Sequence, residues 1–263
     1  MRLLRFLDED GDVRYGVARE PRVAEVVEDA PFGANRPTGR TARVAKLLAP
    51  VDPPNLIGIG VNYRAHADET GKAAPTEPVV FVKLTTAVTH PNAPILLPPH
   101  AADEVDYEAE LAVVIARTAH HVPASAALDH VLGYTCANDV TARDCQNRRD
   151  MQWARGKSFD TFCPLGEALI TADEVDPGAL PIRLLLNGKV MQESNTADMI
   201  FGVAELIGFL SEQFTLLPGT VILTGTPPGV GMARQPPVFL RHGDTVVVEI
   251  GGVGALSSPV IAL

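Results

Sequence analysis

The chain has 263 residues, of which 46% are hydrophobic, so it can bury one large core, or one large and one small core, as a globular protein. Its 22 lysines and arginines against 32 acidic residues give a formal net charge of −10. This balance argues against a general nucleic-acid binder, which needs clustered cations to neutralise phosphates.

The sequence also lacks the signals of membrane insertion and secretion. No apolar run reaches the ~18 residues of a membrane span, and the start MRLLRFLDEDGD turns acidic too early for a secretory signal. Three cysteines without paired spacing indicate neither a disulfide framework nor a zinc-cysteine site. We therefore expect no membrane partner, no nucleic-acid partner and a cytoplasmic location.

The amino-terminal residues predict a small β-rich unit. Three short apolar runs, RLLRFL, VRYGVA and RVAEVV, are typical of strands, and a turn-rich, proline-rich passage follows them as far as Pro54. We place a boundary near residues 49–54, which gives a small accessory domain at 1–50 and a catalytic domain at 51–263.

Strands dominate the structure expected for the remaining chain. The segments rich in Val, Ile and Leu between turn signals are NLIGIGV, PVVFVKL, APILL, ELAVVIA, IRLLLNG, GTVILTGT and DTVVVEI. The strongest helix is VAELIGFLSEQ, where Val203, Leu206, Ile207 and Leu210 recur with helical spacing. The expected fold class is mainly β, of the α+β type.

A candidate proton-transferring pair follows the strand NLIGIG. In GVNYRAHADET, His66 and Glu69 are three residues apart, so one helical turn places them on the same face, where the carboxylate can orient the imidazole. A histidine held in this way can act as a general base. The alternative is a solvated turn, because such pairs are common on exposed helices.

Acidic residues occupy alternate positions at the start of the apolar strand DYEAELAVVI. Side chains alternate along a strand, so Glu108 and Glu110 point to one face with Cβ atoms roughly 6–7 Å apart. Two carboxylates aimed at one point repel unless a proton or cation lies between them, and oxygen ligands favour Mg²⁺, Ca²⁺ or Mn²⁺. A solvated strand edge is the alternative. Asp106 fits a turn or a supporting position better than a ligand.

A second acidic cluster lies in GYTCANDVTARDCQNRRDMQW. Asp139 follows an apolar stretch and precedes a charged segment that reads as helical, so it can supply a third carboxylate at a strand-to-helix junction. Alternatively, Asn138 or Asp139 caps that helix, since both residue types are preferred at helix N-caps.

Two further segments offer groups to an anionic substrate. In ARGKSFDTFCPLG, Lys157 precedes an aromatic turn and Thr161 adds a hydroxyl, with an ordinary surface lysine as the alternative. In LTGTPPGVG, glycines follow a strand and can present backbone N–H groups to a carboxylate. This segment is not a phosphate-binding P-loop, because it lacks the Lys-Ser/Thr ending.

Taken together and in this order, GVNYRAHADE, EPVVFVK, PILLP, DYEAELAVVI, NDVTARD, KSFDTFCPLG and TGTPPGVG resemble the fumarylacetoacetate hydrolase family. The resemblance covers roughly residues 52–263 and fits the first 50 only loosely. It implies a mixed β-roll catalytic domain, usually in a homodimer. It also implies a divalent cation, Mg²⁺ or Mn²⁺, bound by Glu108, Glu110 and Asp139.

The same resemblance implies roles for the other candidates. His66, Glu69 and Lys157 match the catalytic residues of the family. The residues expected to contact the substrate are Lys83, Arg143, Gln146, Thr161 and Thr226. Leu84 stands where relatives frequently have a proline.

The expected function is that of a divalent-metal-dependent hydrolase or lyase acting on small 2-oxo or 1,3-dioxo carboxylic acids. It would hydrolyse acylpyruvate-type C–C bonds or decarboxylate oxaloacetate-type acids through a metal-stabilised enolate. The alternative is a 2-hydroxyhepta-2,4-diene-1,7-dioate isomerase of aromatic catabolism, since one fold serves several reactions. We favour the hydrolase or lyase because His66 and Glu69 supply a water-activating base. A non-catalytic metal-binding protein predicts loss of the base or the ligands, and all of these residues are present.

Overall fold

The computed structural model describes residues 1–149 and 152–263, and most of its regular structure consists of β-strands. The strands are β1 (Arg2–Leu7), β2 (Val13–Glu20), β3 (Val23–Glu28), β4 (Arg36–Arg43), β5 (Lys46–Leu47), β6 (Leu56–Gly60), β7 (Val79–Lys83), β8 (Val88–Thr89), β9 (Ile95–Leu97), β10 (Val105–Asp106), β11 (Ala109–Ile115), β12 (Val131–Asn138), β13 (Thr141–Ala142), β14 (Cys163–Pro164), β15 (Leu169–Thr171), β16 (Pro181–Leu186), β17 (Lys189–Asn195), β18 (Val221–Leu223), β19 (Thr245–Ile250) and β20 (Gly254–Ala262). The expected mainly β fold is confirmed.

Two sheets form the body of the molecule. Over the described residues, the larger sheet has 11 strands in the order β4-β3-β2-β1-β15-β12-β11-β18-β6-β7, with β5 also paired to β1. The second sheet has the order β17-β16-β19-β20-β9 and packs against β11 and β12. The short strands form the pairs β10-β13 and β14-β8.

The centre of the larger sheet explains the unbroken apolar run in the sequence. Every residue of β11 and of β12 is buried. A strand covered on both faces requires apolar side chains at every position rather than at alternate positions. The polar groups at the ends of these two strands are therefore brought into the protein interior.

Helices are few and short. They are α1 (Arg64–Glu69), α2 (Ala124–Ala127), α3 (Ala154–Lys157) and α4 (Val203–Gln213), with a π-helical turn at Cys145–Arg149. The predicted apolar face of α4 is buried, and the Glu205 carboxylate accepts a hydrogen bond of 2.8 Å from the Gly202 amide at its start. None of the helices in the described part of the chain has the length and hydropathy needed to cross a bilayer.

The segment after Asp139 differs from the helix expected there. The two-residue strand β13 follows Asp139 and pairs with β10, so the helical turn begins only later in the chain. The Asn138 side chain accepts a hydrogen bond of 3.0 Å from the Glu108 amide instead of capping a helix. Residues 150 and 151 of the predicted helical segment lie outside the described residues.

The amino-terminal strands continue the larger sheet, because β1 pairs antiparallel with β15 through Arg2↔Ile170 and Leu3↔Leu169. The passage we had expected to be turns contains β4, which pairs with β3 at the end of the sheet. The arginines of β4 are exposed, as is typical of an edge strand. Because the segment is so polar, its sequence does not show the apolar pattern that predicts a strand. The division into domains at residue 50 stays a prediction.

Candidate active site

The register between β11 and β12 brings two acids of the predicted site together. Ala109 lies opposite Asn138 in this antiparallel pair, and the Asp139 amide donates a hydrogen bond of 2.9 Å to the Glu108 carbonyl. Glu108 and Asp139 are therefore neighbours across the two strands. Glu110, two residues along β11, shares the face of Glu108, as the alternation predicted.

The three carboxylates form one buried cluster. One oxygen from each of Glu108, Glu110 and Asp139 lies within 4.8 Å of the others. Burial, reinforced by the charges of Asp139 and Glu108, raises the pKa of Glu110 well above its usual value. Glu110 accepts a hydrogen bond of 2.7 Å from the Gly225 amide, and no described residue forms an ion pair with it.

Lys157 and Lys83 neutralise two of these carboxylates. The Lys157 ammonium lies 2.8 Å from Glu108 Oε2 and 2.5 Å from Asp139 Oδ2. Lys83 forms an ion pair with the other oxygen of Asp139 and donates a hydrogen bond of 2.8 Å to the Phe162 carbonyl. Burial lowers the pKa of Lys157, but Asp139 and Glu108 outweigh burial and raise it, so this lysine stays charged.

Arg143 is the third buried cation of the cluster. Its guanidinium lies 2.7 Å from Glu108 Oε1 and 2.8 Å from Asp106 Oδ2. Burial alone would raise the pKa of Glu108, but Lys157 and Arg143 hold it well below its usual range. Glu108 is therefore an anion shared by two cations.

The donor set fits a divalent metal ion. Four buried carboxylates (Asp106, Glu108, Glu110 and Asp139) face three buried cations (Lys83, Arg143 and Lys157), which leaves one negative charge uncompensated. Glu110 is the carboxylate without a cationic partner among the described residues, and burial, followed by the charges of Asp139 and Glu108, raises its pKa. Buried charges require a partner, and hard oxygen donors favour Mg²⁺ or Mn²⁺.

Helix α1 carries His66 and Glu69, which lie side by side as expected from the sequence. His66 Nδ1 lies 3.2 Å from Glu69 Oε2. An ionised carboxylate only accepts hydrogen bonds, so we assign the proton to Nδ1, which leaves Nε2 as the basic nitrogen. The Gly229 amide donates to both oxygens of Glu69, at 2.8 and 3.1 Å, and fixes the carboxylate in place.

The glycine-rich loop after β18 donates hydrogen bonds from its amides to carboxylates. These carboxylates are side chains of the protein, whereas the sequence suggested a carboxylate of the substrate. The amides of Gly225, Gly229 and Gly231 bind Glu110, Glu69 and Asp106, respectively. Gly229 has a φ of +103°, and a Cβ atom there would lie 2.1 Å from the Met191 carbonyl oxygen. The loop thus joins the His66–Glu69 pair to the carboxylate cluster.

Asp106, which the sequence left without a definite role, holds Arg143 and the glycine-rich loop. Its oxygens accept hydrogen bonds from the amides of Tyr107, Gly231 and Met232 at 2.7–3.0 Å, as well as from the Arg143 side chain at 2.8 Å. Asp106 is fully buried. Its position is structural, since it fixes the arginine that pairs with Glu108.

Replacing Asp106 by Asn should therefore destabilise the fold. Removing one partner of a buried ion pair costs about 3–5 kcal/mol, and the amide group of Asn would also face N–H donors. Urea unfolding measures this loss. Glu104→Gln is the matched control, because Glu104 forms an exposed pair with Arg148 that should contribute only ~0.5 kcal/mol. Equal stability of the two variants would contradict the role of Asp106.

Glu108, Glu110 and His66 line one cavity of about 40 Å³. This volume holds a few water molecules. Phe81 and Trp153 form the aromatic part of the wall, with ring centroids 5.7 Å apart. Their rings lie against Gly58 and Gly60 of β6, where an added Cβ would come within 2.1 and 2.3 Å, respectively.

Most of the predicted site residues converge on this cavity. Those that line it are His66, Glu108, Glu110, Arg143, Gln146, Lys157 and Thr226. Glu69 and Asp139 contact this group directly. Gln146 accepts a hydrogen bond of 3.0 Å from Arg143, and the Thr226 hydroxyl donates one of 3.0 Å to the Ala109 carbonyl.

Two residues predicted to contact the substrate are placed differently. Neither Lys83 nor Thr161 lines the cavity. Lys83 is buried beside Asp139, and the Thr161 hydroxyl accepts a hydrogen bond of 2.8 Å from the Leu96 amide. The sequence analysis did not single out Phe81, Trp153 and Lys72, which do line it. The glycines of NLIGIG were the available signal for the two rings, because glycine within a strand often marks a close approach.

The fold and the site are those of an enzyme whose buried carboxylate triad could hold a divalent cation. Within this class, the chain belongs to the fumarylacetoacetate hydrolase family, because a family model described as Fumarylacetoacetate (FAA) hydrolase C-terminal matches residues 55–261. A second model, described as Rv2993c-like, N-terminal, matches residues 1–50.

Similar proteins come from animals and bacteria. The chain is 49% identical over 218 residues to the oxaloacetate tautomerase fahd2, mitochondrial, of Xenopus laevis, which covers 82% of this chain and 68% of the relative. A 5-carboxymethyl-2-hydroxymuconate delta-isomerase structure from Mycobacterium smegmatis is 43% identical, with a TM-score of 0.89 over all of both chains. A 2-hydroxyhepta-2,4-diene-1,7-dioate isomerase structure from Mycobacterium marinum is 41% identical, with a TM-score of 0.87 over 100% of this chain and 98% of that one.

These similarities confirm the family, the fold class and the prediction that the chain is an enzyme. They agree with the expected function of an acylpyruvate-type enzyme. The isomerase that we gave as the alternative is also represented among the similar structures.

Proposed function

We propose that the protein is a divalent-metal-dependent hydrolase or lyase of small 2-oxo or 1,3-dioxo carboxylic acids, in which cleavage of a C–C bond produces an enolate. The observation that carries this proposal is the position of His66, Glu108 and Glu110 on one cavity, with Asp139 next to the two glutamates. Enolate formation in such a reaction requires a base and a positive charge placed next to the substrate oxygen that becomes negative.

In hydrolysis, His66 Nε2 takes a proton from water, and the hydroxide adds to the carbonyl carbon of the bond to be broken. That C–C bond then breaks, its electrons form the C=C bond of the enolate of the leaving fragment, and the negative charge moves to the enolate oxygen. Glu69 holds the imidazolium that results, since its carboxylate lies 3.2 Å from Nδ1. In decarboxylation, the C–C bond to the leaving carboxylate breaks instead, CO₂ departs, and the enolate that remains takes a proton on carbon.

The remaining residues bind and orient the substrate. Glu108, Glu110 and Asp139 would hold the cation, Mg²⁺ or Mn²⁺, which when bound supplies positive charge next to the enolate oxygen. Arg143 and Lys157 offer N–H donors to a substrate carboxylate, while Gln146 and Thr226 supply polar groups of the wall. For Lys83 and Thr161 we propose supporting roles, because Lys83 neutralises Asp139 and Thr161 binds the Leu96 amide.

Isomerisation of a hydroxymuconate-type acid is the second candidate. The two bacterial structures named as isomerases support it, because they match the whole length of this chain. The same His66 nitrogen would remove a proton at one carbon and return it at another. The expected homodimer and cytoplasmic location belong to this proposal as well and rest on the family resemblance and the composition.

A substrate panel tests the proposal. Purified protein is incubated with an acylpyruvate, oxaloacetate or a hydroxymuconate-type acid, with Mg²⁺, with Mn²⁺ or with EDTA. We expect metal-dependent turnover of acylpyruvate or oxaloacetate. Turnover of the hydroxymuconate-type acid alone would establish the second candidate, and turnover that EDTA leaves unchanged would contradict the proposed cation site.

A further inference from the structure

Three of the cations around the cavity are already paired with the protein's own acids. Lys157 binds Glu108 and Asp139, Arg143 binds Glu108 and Asp106, and Lys83 binds Asp139. These ion pairs lie at the buried end of the site. A substrate carboxylate that contacts these cations competes with protein carboxylates for them.

Lys72 also lines the cavity and differs from these cations in position and in partners. Its side chain is exposed, and its ammonium lies 5.5 Å from the centre of the Trp153 ring. Within residues 1–149 and 152–263, no carboxylate forms an ion pair with it. Its backbone amide donates to the Ala67 carbonyl at 2.9 Å, which fixes Lys72 directly after the helix that carries His66.

The electrostatic surroundings of Lys72 favour an arriving anion. Partial desolvation at the cavity wall lowers the pKa of Lys72, and the positive charge of Arg143 lowers it further. A substrate carboxylate between Lys72 and Arg143 would reduce the repulsion between these two cations and raise the pKa of Lys72 towards its usual value. Trp153 offers an apolar ring beside the ammonium, against which the methylene groups of a substrate can pack.

The burial of the wall residues sets the direction in which a substrate lies. The carboxylate cluster is buried and His66 is partly buried, whereas Lys72 is exposed at the solvent side. We propose that Lys72, beside Trp153, binds the carboxylate at the far end of the substrate and thereby selects dicarboxylic over monocarboxylic 2-oxo acids. This inference rests on the proposed function and adds a specificity-determining residue to it.

Calorimetric binding to the Mg²⁺-loaded protein tests Lys72 with a matched pair of probes. 2-Oxoglutarate and 2-oxopentanoate both have five carbons, and only the first has a far carboxylate. We expect wild type to bind 2-oxoglutarate about tenfold more tightly, a difference that Lys72→Met should remove without changing the affinity for 2-oxopentanoate. Lys72→Arg should retain the preference, which should also weaken as salt is raised.

Lys189→Met is the matched control, because Lys189 is exposed on β17 and does not line the cavity. It should bind both probes as wild type does. An equal effect of Lys72→Met on both probes, or none on either, would overturn the role of Lys72 while leaving the proposed function in place. Failure of wild type to bind either probe, together with an inactive substrate panel, would reject the proposed function and this inference with it.

Discussion

Glu110→Gln is expected to abolish the metal dependence of turnover and to reduce turnover by about 100-fold or more, because it removes a charged oxygen ligand from the cation site. The fold should survive. The amide oxygen of the introduced glutamine can still accept the Gly225 hydrogen bond, and its NH₂ group can donate to Asp139 or Glu108. Steady-state kinetics with Mg²⁺, Mn²⁺ and EDTA measure the loss.

The same variant should be more stable than wild type when no metal is bound. Burial and the neighbouring acids raise the pKa of Glu110 above its unfolded value, so the folded protein is destabilised by this group as pH rises through and above the unfolded pKa. The advantage of Glu110→Gln should therefore grow as pH rises above the unfolded pKa and shrink as pH falls toward about 4. Thermal unfolding in EDTA at several pH values measures it.

Added Mg²⁺ provides the complementary measurement. It should raise the melting temperature of wild type, because a ligand that binds only the folded state stabilises that state, and it should not raise that of Glu110→Gln. Glu212→Gln is the control, since Glu212 is exposed on α4. The cation site would be wrongly assigned if Glu110→Gln kept both its metal-dependent turnover and its stabilisation by Mg²⁺.

His66→Gln should lower kcat by about 10²–10⁴-fold, the usual contribution of a positioned general base. Metal binding should persist, because His66 is not one of the three carboxylate ligands. Stabilisation of His66→Gln by Mg²⁺ would therefore show that the variant has lost the base but has kept the cation site. His120→Gln is the matched control, since His120 is exposed beside Thr215 and does not line the cavity.

Glu69 is a positioning residue in this account, and a double-mutant cycle tests that role. Glu69→Gln should reduce kcat less than His66→Gln, because Nε2 would remain available on a less well oriented ring. If Glu69 acts only through His66, the double variant should be no slower than His66→Gln alone. Additive losses would show that Glu69 acts independently, and an unchanged kcat in His66→Gln would remove the base from the mechanism.

The sequence by itself determined the features of the site that depend on local geometry. The alternation of a strand placed Glu108 and Glu110 on one face, and helical spacing placed His66 beside Glu69. The unbroken apolar run after these acids predicted a strand, and the structure buries every residue of it. These patterns involve only a few neighbouring residues, so they can be recognised without knowledge of the rest of the chain.

The tertiary structure alone decided which distant groups meet. The β11-β12 register brings Asp139 opposite Glu108, and the folded core places Lys83 against Asp139 although 56 residues separate them. Neither contact has a local pattern. Strand register and the neutralisation of buried charge depend on the whole core. These two factors decide that Lys83 pairs with Asp139 and that Asp106 holds Arg143.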